Sequence, residues 1–189
     1  MARWEPGATA RLQKAALELF TSQGFEQTTA AEIAQAVGLN RRTFFRHFPD
    51  KRDVLFLGQQ ELEGALVAAV AQAPAGESPM SLIGFAIARV ADMFADTPRE
   101  HARARQTIID TNAALLERQH HKNANLAQLL RDALRDQGIA EPAATLAAES
   151  AVTVFNLAFR QWLATNETRT LSVIAAETLA ELRALDVRR

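Results

Sequence analysis

Closely spaced helix-start and helix-stop residues between positions 29 and 50 constrain the fold of this chain more than any other feature. Thr29-Ala-Ala-Glu32 is a capping box, in which the threonine hydroxyl and the glutamate carboxylate satisfy free backbone donors at a helix start. Gly38 ends that helix, and Asn40 is a favourable N-cap for the next. Pro49-Asp50 ends the second helix and caps another. The spacing predicts two short helices with the dimensions of a helix-turn-helix.

The rest of the chain is predicted to be helical as well. Its 189 residues include 38 alanines and 22 leucines, against 8 glycines and 6 prolines, and alanine and leucine are strong helix formers. No stretch alternates polar and apolar residues as a half-buried strand would. The expected fold class is all-α, with about nine helices by their start and stop signals. They are placed at 9–22, 30–37, 41–47, 51–71, 79–96, 98–111, 113–137, 142–165 and 170–185.

Composition excludes several classes of protein. The chain has no cysteine, which excludes a disulfide scaffold, a thiolate metal site and a cysteine nucleophile. No apolar run approaches the roughly 20 residues that a membrane span needs. Residues 1–6 (MARWEP) do not resemble a signal peptide. We therefore expect a cytoplasmic protein that does not bind a membrane.

The formal net charge of −1 is distributed unevenly. Residues 1–56 carry eight lysines and arginines and six acids, a net charge of +2, whereas residues 57–189 carry thirteen and sixteen, a net charge of −3. Positions 40–52 hold five of these cations and His47 against one acid, Asp50. This excludes a generic basic coat for nucleic acid, and the local positive charge indicates a site.

Helical spacing sorts the second short helix into faces. Phe44 and Phe48 lie four residues apart and are predicted to pack inward on the first short helix. Arg41, Arg42 and Phe45 would then face a partner.

Two pairs of cations open helices in this region, Arg41-Arg42 and Lys51-Arg52. A cation at a helix N-terminus is unfavourable by about 0.3–1 kcal/mol. Bound phosphates would reverse this preference, because backbone N–H groups and cations would converge on the same anion. The alternative is four solvated surface cations without a function.

Four segments within residues 11–56 form a specific pattern in their order and spacing. They are AALELF at 15–20, GFEQTT at 24–29, IAQAVGL at 33–39 and TFFRHFPDK at 43–51. This pattern, over about a quarter of the chain, resembles the N-terminal DNA-binding domain of the TetR family of one-component transcriptional regulators.

The resemblance implies that positions 40–47 form a recognition helix that reads a palindromic operator in double-stranded DNA. Arg41 and Arg42 would lie near base edges or phosphates, and arginine favours guanine. Arg42 stands where the family often has a small residue, and Phe45 where it usually has tyrosine, so a hydroxyl that could bind phosphate is absent. His47 would contact a phosphate or, equally, pack on the first helix. The expected DNA-binding residues are Thr28, Thr29, Asn40, Arg41, Arg42, Thr43, Phe45, Arg46, His47 and Lys51.

The resemblance also implies that the C-terminal part binds a small-molecule effector and forms a homodimer. The expected domains are 1–50 for DNA binding and 51–189 for effector binding and dimerisation. The last two helices would form the dimer through a seam in the last helix; alternatively, that seam closes the core of the monomer. The seam consists of Leu171, Ile174, Thr178, Leu182 and Leu185. Candidate pocket residues, which could also be plain core, are Phe85, Arg89, Met93, Ile108, Asn112, Phe155, Phe159 and Trp162.

An enzymatic function is not predicted. His120 and His121 are adjacent and would point about 100° apart on a helix, so they do not share a metal ion easily. The sequence contains no HExxH motif, no glycine-rich phosphate loop and no GxSxG motif. We expect a repressor that an effector releases from its operator, without cofactor or metal. The alternative is a helical bundle whose C-terminal domain binds a partner protein or performs catalysis.

Overall fold

A computed structural model describes residues 7–185 of the chain. The prediction for residues 1–6 lies outside this range. The described part is all-α, as predicted, with nine α-helices, one 3-10 helix and no strand, and none of its helices has the length and apolar character needed to cross a bilayer. The α-helices are α1 (Ala8–Gln23), α2 (Ala30–Ala36), α3 (Arg41–His47), α4 (Gln59–Ala71), α5 (Pro79–Asp92), α6 (Arg99–Asp110), α7 (Ala113–Asp136), α8 (Ala143–Trp162) and α9 (Leu171–Ala184); the 3-10 helix, Lys51–Phe56, lies between α3 and α4.

The predicted caps of the short helices are confirmed. Thr29 Oγ1 accepts a hydrogen bond from the backbone N–H of Glu32 at 3.2 Å, and Glu32 Oε2 accepts one from the backbone N–H of Thr29 at 2.7 Å. The side chains of Asn40 and Asp50 likewise accept hydrogen bonds from backbone N–H groups at the starts of α3 and the 3-10 helix. The capping residues therefore set the start of each short element.

The continuous helix predicted for residues 51–71 is wrong. The structure instead has the 3-10 helix, then a turn at Gly58 with φ of +87°, and then α4. Glycine adopts this left-handed conformation without strain. Val54, Leu55 and Phe56 in the 3-10 helix are all buried and belong to the core of the first unit.

The chain divides into two compact units. The first contains the described residues up to Gln59 together with Glu100–Glu117, and the second contains Gln60–Arg99 and the described residues from Arg118 onward. The first boundary between these units therefore follows Gln59 and does not fall at residue 50. Most of α6 belongs to the first unit, with the N-terminal helices. The assignment of DNA binding to 1–50 and of effector binding to 51–189 stays a prediction.

The core of the first unit is built around α3. Phe44 is fully buried, and Phe48 is 3% exposed, so the predicted inward face of α3 is confirmed. Arg105 in α6 donates from Nη1 to the backbone oxygen of Leu55 at 2.8 Å. The core combines side chains from α1, α2, α3, the 3-10 helix and α6, among them Leu12, Ile33, Phe44, Leu55 and Ile109.

The second unit is built around α8, which packs against α5 and α9. The two neighbours of α8 also contact each other, and Gly84 in α5 allows their close approach, since a Cβ there would lie 3.3 Å from Leu179 Cδ2. Hydrogen bonds tie α5 and α9 at both ends: Ser172 donates to Asp92 at 2.9 Å, and Arg183 donates to the backbone oxygen of Met80 at 2.8 Å. Alanines on the buried face of α8 keep the packing close; they are Ala144, Ala147, Ala148, Ala151 and Ala158.

Candidate nucleic-acid interface

The exposed side of α3 carries positive charge. Arg41, Arg42 and Arg46 are exposed, and Phe45 lies exposed among them. Phe44 and Phe48 hold the other face in the core. The helix therefore presents three guanidinium groups and one aromatic ring to solvent from a firmly packed base.

Phe45 and Arg41 are stacked on each other. The Arg41 guanidinium carbon lies 5.4 Å from the centroid of the Phe45 ring, a cation–π contact. The Phe45 ring meets the Phe44 ring edge to face, with centroids 5.4 Å apart and an interplanar angle of 83°. An exposed pair is thus anchored to a fully buried side chain.

The expected contact residues Asn40 and Thr43 bind each other. Asn40 Oδ1 accepts from the backbone N–H of Thr43 at 2.9 Å and from its hydroxyl at 3.2 Å. The hydroxyl proton of Thr43 is thereby used inside the protein, although its oxygen can still accept a hydrogen bond. Asn40 acts as the cap that starts α3.

His47 contacts the first helix. Its Nδ1 lies 3.1 Å from Thr9 Oγ1 in α1, in a partly buried position. This contact agrees with the alternative that His47 packs on the first helix. A phosphate contact of His47 stays a prediction.

The two threonines before α2 differ in their availability. Thr28 is 1% exposed; its hydroxyl donates to the backbone oxygen of Gly24 at 2.8 Å and accepts from Gln23 Nε2 at 3.1 Å. Its side chain is therefore enclosed, and a DNA contact of Thr28 stays a prediction. Thr29 is exposed but occupied in the capping box, and its hydrogen bonds lower the pKa of Glu32. The sequence pattern at 28–29 indicates a helix start more directly than a DNA contact.

Lys51 is used inside the protein. Its Nζ donates to the backbone oxygens of Phe25 at 2.7 Å and Thr28 at 2.9 Å, and it lies 4.1 Å from the centroid of the Phe25 ring. Two of its three donors are thus occupied. Lys51 fixes the turn between α1 and α2, a role that sequence reasoning missed because its partners lie more than twenty positions away.

Arg52, the second cation of that pair, has an acidic partner. Its Nε lies 2.8 Å from Asp50 Oδ2, while its backbone N–H donates to Asp50 Oδ1 at 3.0 Å. The unfavourable placement of a cation at a helix start is explained here by Asp50. It does not require a phosphate.

The eight predicted pocket residues are divided between the two units. Ile108 is a core residue of the first unit, and Asn112 donates to Glu26 at 2.8 Å in the same unit. Phe85 and Met93, in the second unit, are 44% and 43% exposed, and Arg89 is also exposed. A ligand-binding role for these eight residues stays a prediction.

The remaining predicted pocket residues form an aromatic cluster in the second unit. Phe155 and Phe159 stack with centroids 6.0 Å apart, and Phe159 lies 5.6 Å from Trp162. Phe94 contacts all three rings at 5.4–6.0 Å. The guanidinium of Arg99 lies 5.1 Å from the Trp162 ring.

Two concavities of about 410 and 160 Å³ lie elsewhere, the first between α1 and α2 and the second between α7 and α8.

The predicted dimer seam of α9 is only partly internal. Leu171 and Ile174 are 2% and 0% exposed and belong to the core of the second unit, as in the alternative interpretation, whereas Leu185 is 72% exposed. Thr178 and Leu182 are half-buried. Other apolar side chains of the last two helices remain exposed: Leu146, Leu157 and Val173 at 64%, 56% and 45%.

A helix-turn-helix whose second helix presents exposed arginines defines the first unit as a DNA-binding domain of the helix-turn-helix class. Residues 12–56 match the family described as bacterial regulatory proteins, tetR family. The resemblance of residues 12–56 to the N-terminal domain of TetR-family regulators, which the sequence pattern predicts, is therefore confirmed.

A curated relative is the HTH-type transcriptional regulator TcmR of Streptomyces glaucescens. The two sequences are 42% identical over 80 residues, which cover 42% of this chain and 35% of the relative. The chain thus matches about a third of the length of this relative.

Solved structures of transcriptional regulators and repressors share the fold over almost the whole chain. FadR of Thermus thermophilus, in complex with lauroyl-CoA, has a TM-score of 0.57 and 24% identity, covering 93% of each chain. FadR of Bacillus subtilis, in complex with stearoyl-CoA, has a TM-score of 0.64 and 16% identity, covering 92% of this chain and 96% of its own. NalD of Pseudomonas aeruginosa has a TM-score of 0.61 and 17% identity, covering 93% of each chain.

Replacing Lys51 tests its structural role. Lys51→Met keeps the aliphatic stem but removes two charge-assisted hydrogen bonds, so we expect the free energy of unfolding to fall by about 2 kcal/mol. Urea denaturation followed by circular dichroism measures this. Lys14→Met, at an exposed lysine of α1, is the matched control and should change stability by less than about 0.5 kcal/mol.

The salt dependence of DNA binding separates the two roles of Lys51. If Lys51 bound a phosphate, its replacement would make the slope of log K against log salt less steep by about 0.9 for each phosphate no longer neutralised. An unchanged stability together with a shallower slope would contradict the structural role.

Proposed function

We propose that this chain represses transcription by binding a palindromic operator as a homodimer and that a small-molecule effector releases it. The observation that carries this proposal is the exposed arginine face of α3, held in place by the buried Phe44. An operator ligand also implies a cytoplasmic location.

Arg42 and Arg46 are the best placed to reach DNA. They lie on the side of α3 away from Phe44 and Phe48, and both are exposed. Lys51 is held by backbone oxygens and Arg52 by Asp50. Arg42 and Arg46 are not held in this way within the first unit. An arginine in the major groove donates two hydrogen bonds to guanine O6 and N7, or binds a backbone phosphate. These two side chains supply the main charged contacts in the proposed complex.

We propose that the homodimer forms through exposed apolar residues of α8 and α9. Leu146, Thr153 and Leu157 recur at helical spacing on one face of α8 and are all exposed. Val173 and Ala180 are exposed on α9, which packs directly against α8. A second copy of this chain is the occupant that fits, because a palindromic operator requires two recognition helices about 34 Å apart.

We propose that the effector is an apolar molecule bound at the aromatic cluster of Phe94, Phe155, Phe159 and Trp162. Phe94 and Phe155 are only partly buried, so a ligand can reach their rings. Two structures of the same fold are complexes with lauroyl-CoA and stearoyl-CoA, which makes long acyl chains reasonable first probes. The effector must prefer the conformation that does not bind the operator, since only differential affinity shifts the equilibrium.

Selection of operators from random duplexes tests DNA recognition. We expect two inverted half-sites separated by about one helical turn of 10–10.5 base pairs, or a multiple. Arg42→Ala should weaken binding by about 1–3 kcal/mol per half-site and relax the preference at one position. Arg135→Ala, at an exposed arginine of the second unit, should leave affinity unchanged. An identical selected sequence and affinity for Arg42→Ala would refute this role.

A charged substitution tests the dimer surface. Leu157→Glu buries a carboxylate in the proposed interface, so we expect monomers in analytical ultracentrifugation and loss of binding to the full palindrome. Leu129→Glu, at a 41% exposed leucine of α7, is the control and should remain dimeric. A dimeric Leu157→Glu variant would place the interface elsewhere.

Fluorescence of Trp162 tests the effector site. Trp4, which lies outside the described residues, is replaced by phenylalanine so that Trp162 is the sole tryptophan. We expect a compound that quenches Trp162, from a set including lauroyl-CoA and stearoyl-CoA, to weaken operator binding by about 5–150-fold. Phe94→Ala should lose this response while still binding the operator. Compounds that release DNA without changing Trp162 emission would move the effector site away from the cluster.

A further inference from the structure

Phe45 is an exposed aromatic ring whose position is fixed. Its side chain is 41% exposed, in the middle of the arginine face of α3. Its ring meets the ring of Phe44, which is fully buried and also contacts the Phe48 ring at 5.5 Å. Because a buried side chain holds the ring, little conformational entropy is lost when the ring meets a partner.

Arg41 covers part of the same ring. The guanidinium lies 5.4 Å from the ring centroid, one helical turn before Phe45. The cation–π contact restrains a side chain that would otherwise be mobile. The planar guanidinium and the ring are therefore presented side by side.

A phenyl ring has no conventional hydrogen-bond donor or acceptor, so at a base edge it contributes to recognition by contact with an apolar group. On the base edges of the major groove the C5-methyl group of thymine is that group, whereas guanine O6 and N7 are the acceptors that match arginine. A tyrosine at this position would offer a hydroxyl to a phosphate instead. Phenylalanine favours contact with a base edge.

We infer that Arg41 and Phe45 together read a guanine and an adjacent thymine, with the Arg41 guanidinium on guanine O6 and N7 and the Phe45 ring on the thymine methyl group. The inference rests on the proposed operator binding and names a specificity element within it. Phe45 becomes a residue that determines sequence preference. Its ring does not serve merely as packing.

Removal of single methyl groups from the operator tests this inference. In the selected palindrome, each thymine is replaced in turn by deoxyuridine, at matching positions in both half-sites, and affinity is measured by fluorescence anisotropy. We expect one thymine beside a guanine to be sensitive, with a loss of about fourfold per half-site, as for one methyl group leaving an apolar contact. Cytosine at that position should bind more tightly when it is 5-methylated.

The Phe45→Ala variant tests whether Phe45 is the residue that contacts the methyl group. It should bind thymine and deoxyuridine duplexes equally, because the partner of the methyl group is gone, whereas Arg46→Ala should keep the methyl dependence. Replacing the neighbouring guanine by 7-deazaguanine should weaken wild-type binding but not that of Arg41→Ala.

Two results would overturn the inference. Equal affinity of the wild type for every deoxyuridine duplex would place the ring on a sugar, and a methyl dependence that persists in Phe45→Ala would assign it to another residue. If Phe45→Ala does not bind at all, Phe45→Leu takes its place. The deoxyuridine scan of the wild type and of Phe45→Leu then shows whether the ring contacts a thymine methyl group. Failure to select any operator would instead refute the proposed function itself.

Discussion

Burial of Phe44 is the interaction on which the rest of the interface depends. α3 has seven residues, and a helix of this length is not stable alone in water. Phe44 is fully buried among side chains of the first unit and touches the rings of both Phe45 and Phe48. The exposed arginines of α3 therefore owe their fixed positions to an apolar side chain on the opposite face.

The cations of positions 40–52 fall into two groups that charge alone does not distinguish. Lys51 and Arg52 are satisfied by backbone oxygens and by Asp50, respectively. Arg41, Arg42 and Arg46 face solvent. The first group holds the helix-turn-helix together, and the second is available to a ligand. The same basic segment therefore supplies cations for internal contacts and cations for a ligand. The internal contacts are needed because backbone carbonyls in the turns require hydrogen-bond donors.

Contacts between residues that are close in the sequence could be predicted, whereas contacts between residues far apart in the sequence could not. The caps at Thr29, Asn40 and Asp50 have partners within three positions, so their pattern is visible in the sequence. Lys51 binds backbone oxygens more than twenty positions away, and Ile108 belongs to a core that also contains residues more than fifty positions from it. The outward face of α3 was predictable since helical spacing alone separates Phe44 from Arg42.

The distribution of charge constrains how an operator can be recognised. The chain carries a net charge of −1, with +2 in residues 1–56. A net charge this low gives a weaker long-range attraction to DNA than a strongly basic protein has. Sequence preference comes from base edges, where a good bidentate contact discriminates against the wrong base by about 1–3 kcal/mol. The exposed Phe45 ring agrees with base readout, because a phenyl ring forms no hydrogen bond with a phosphate and can contact a thymine methyl group.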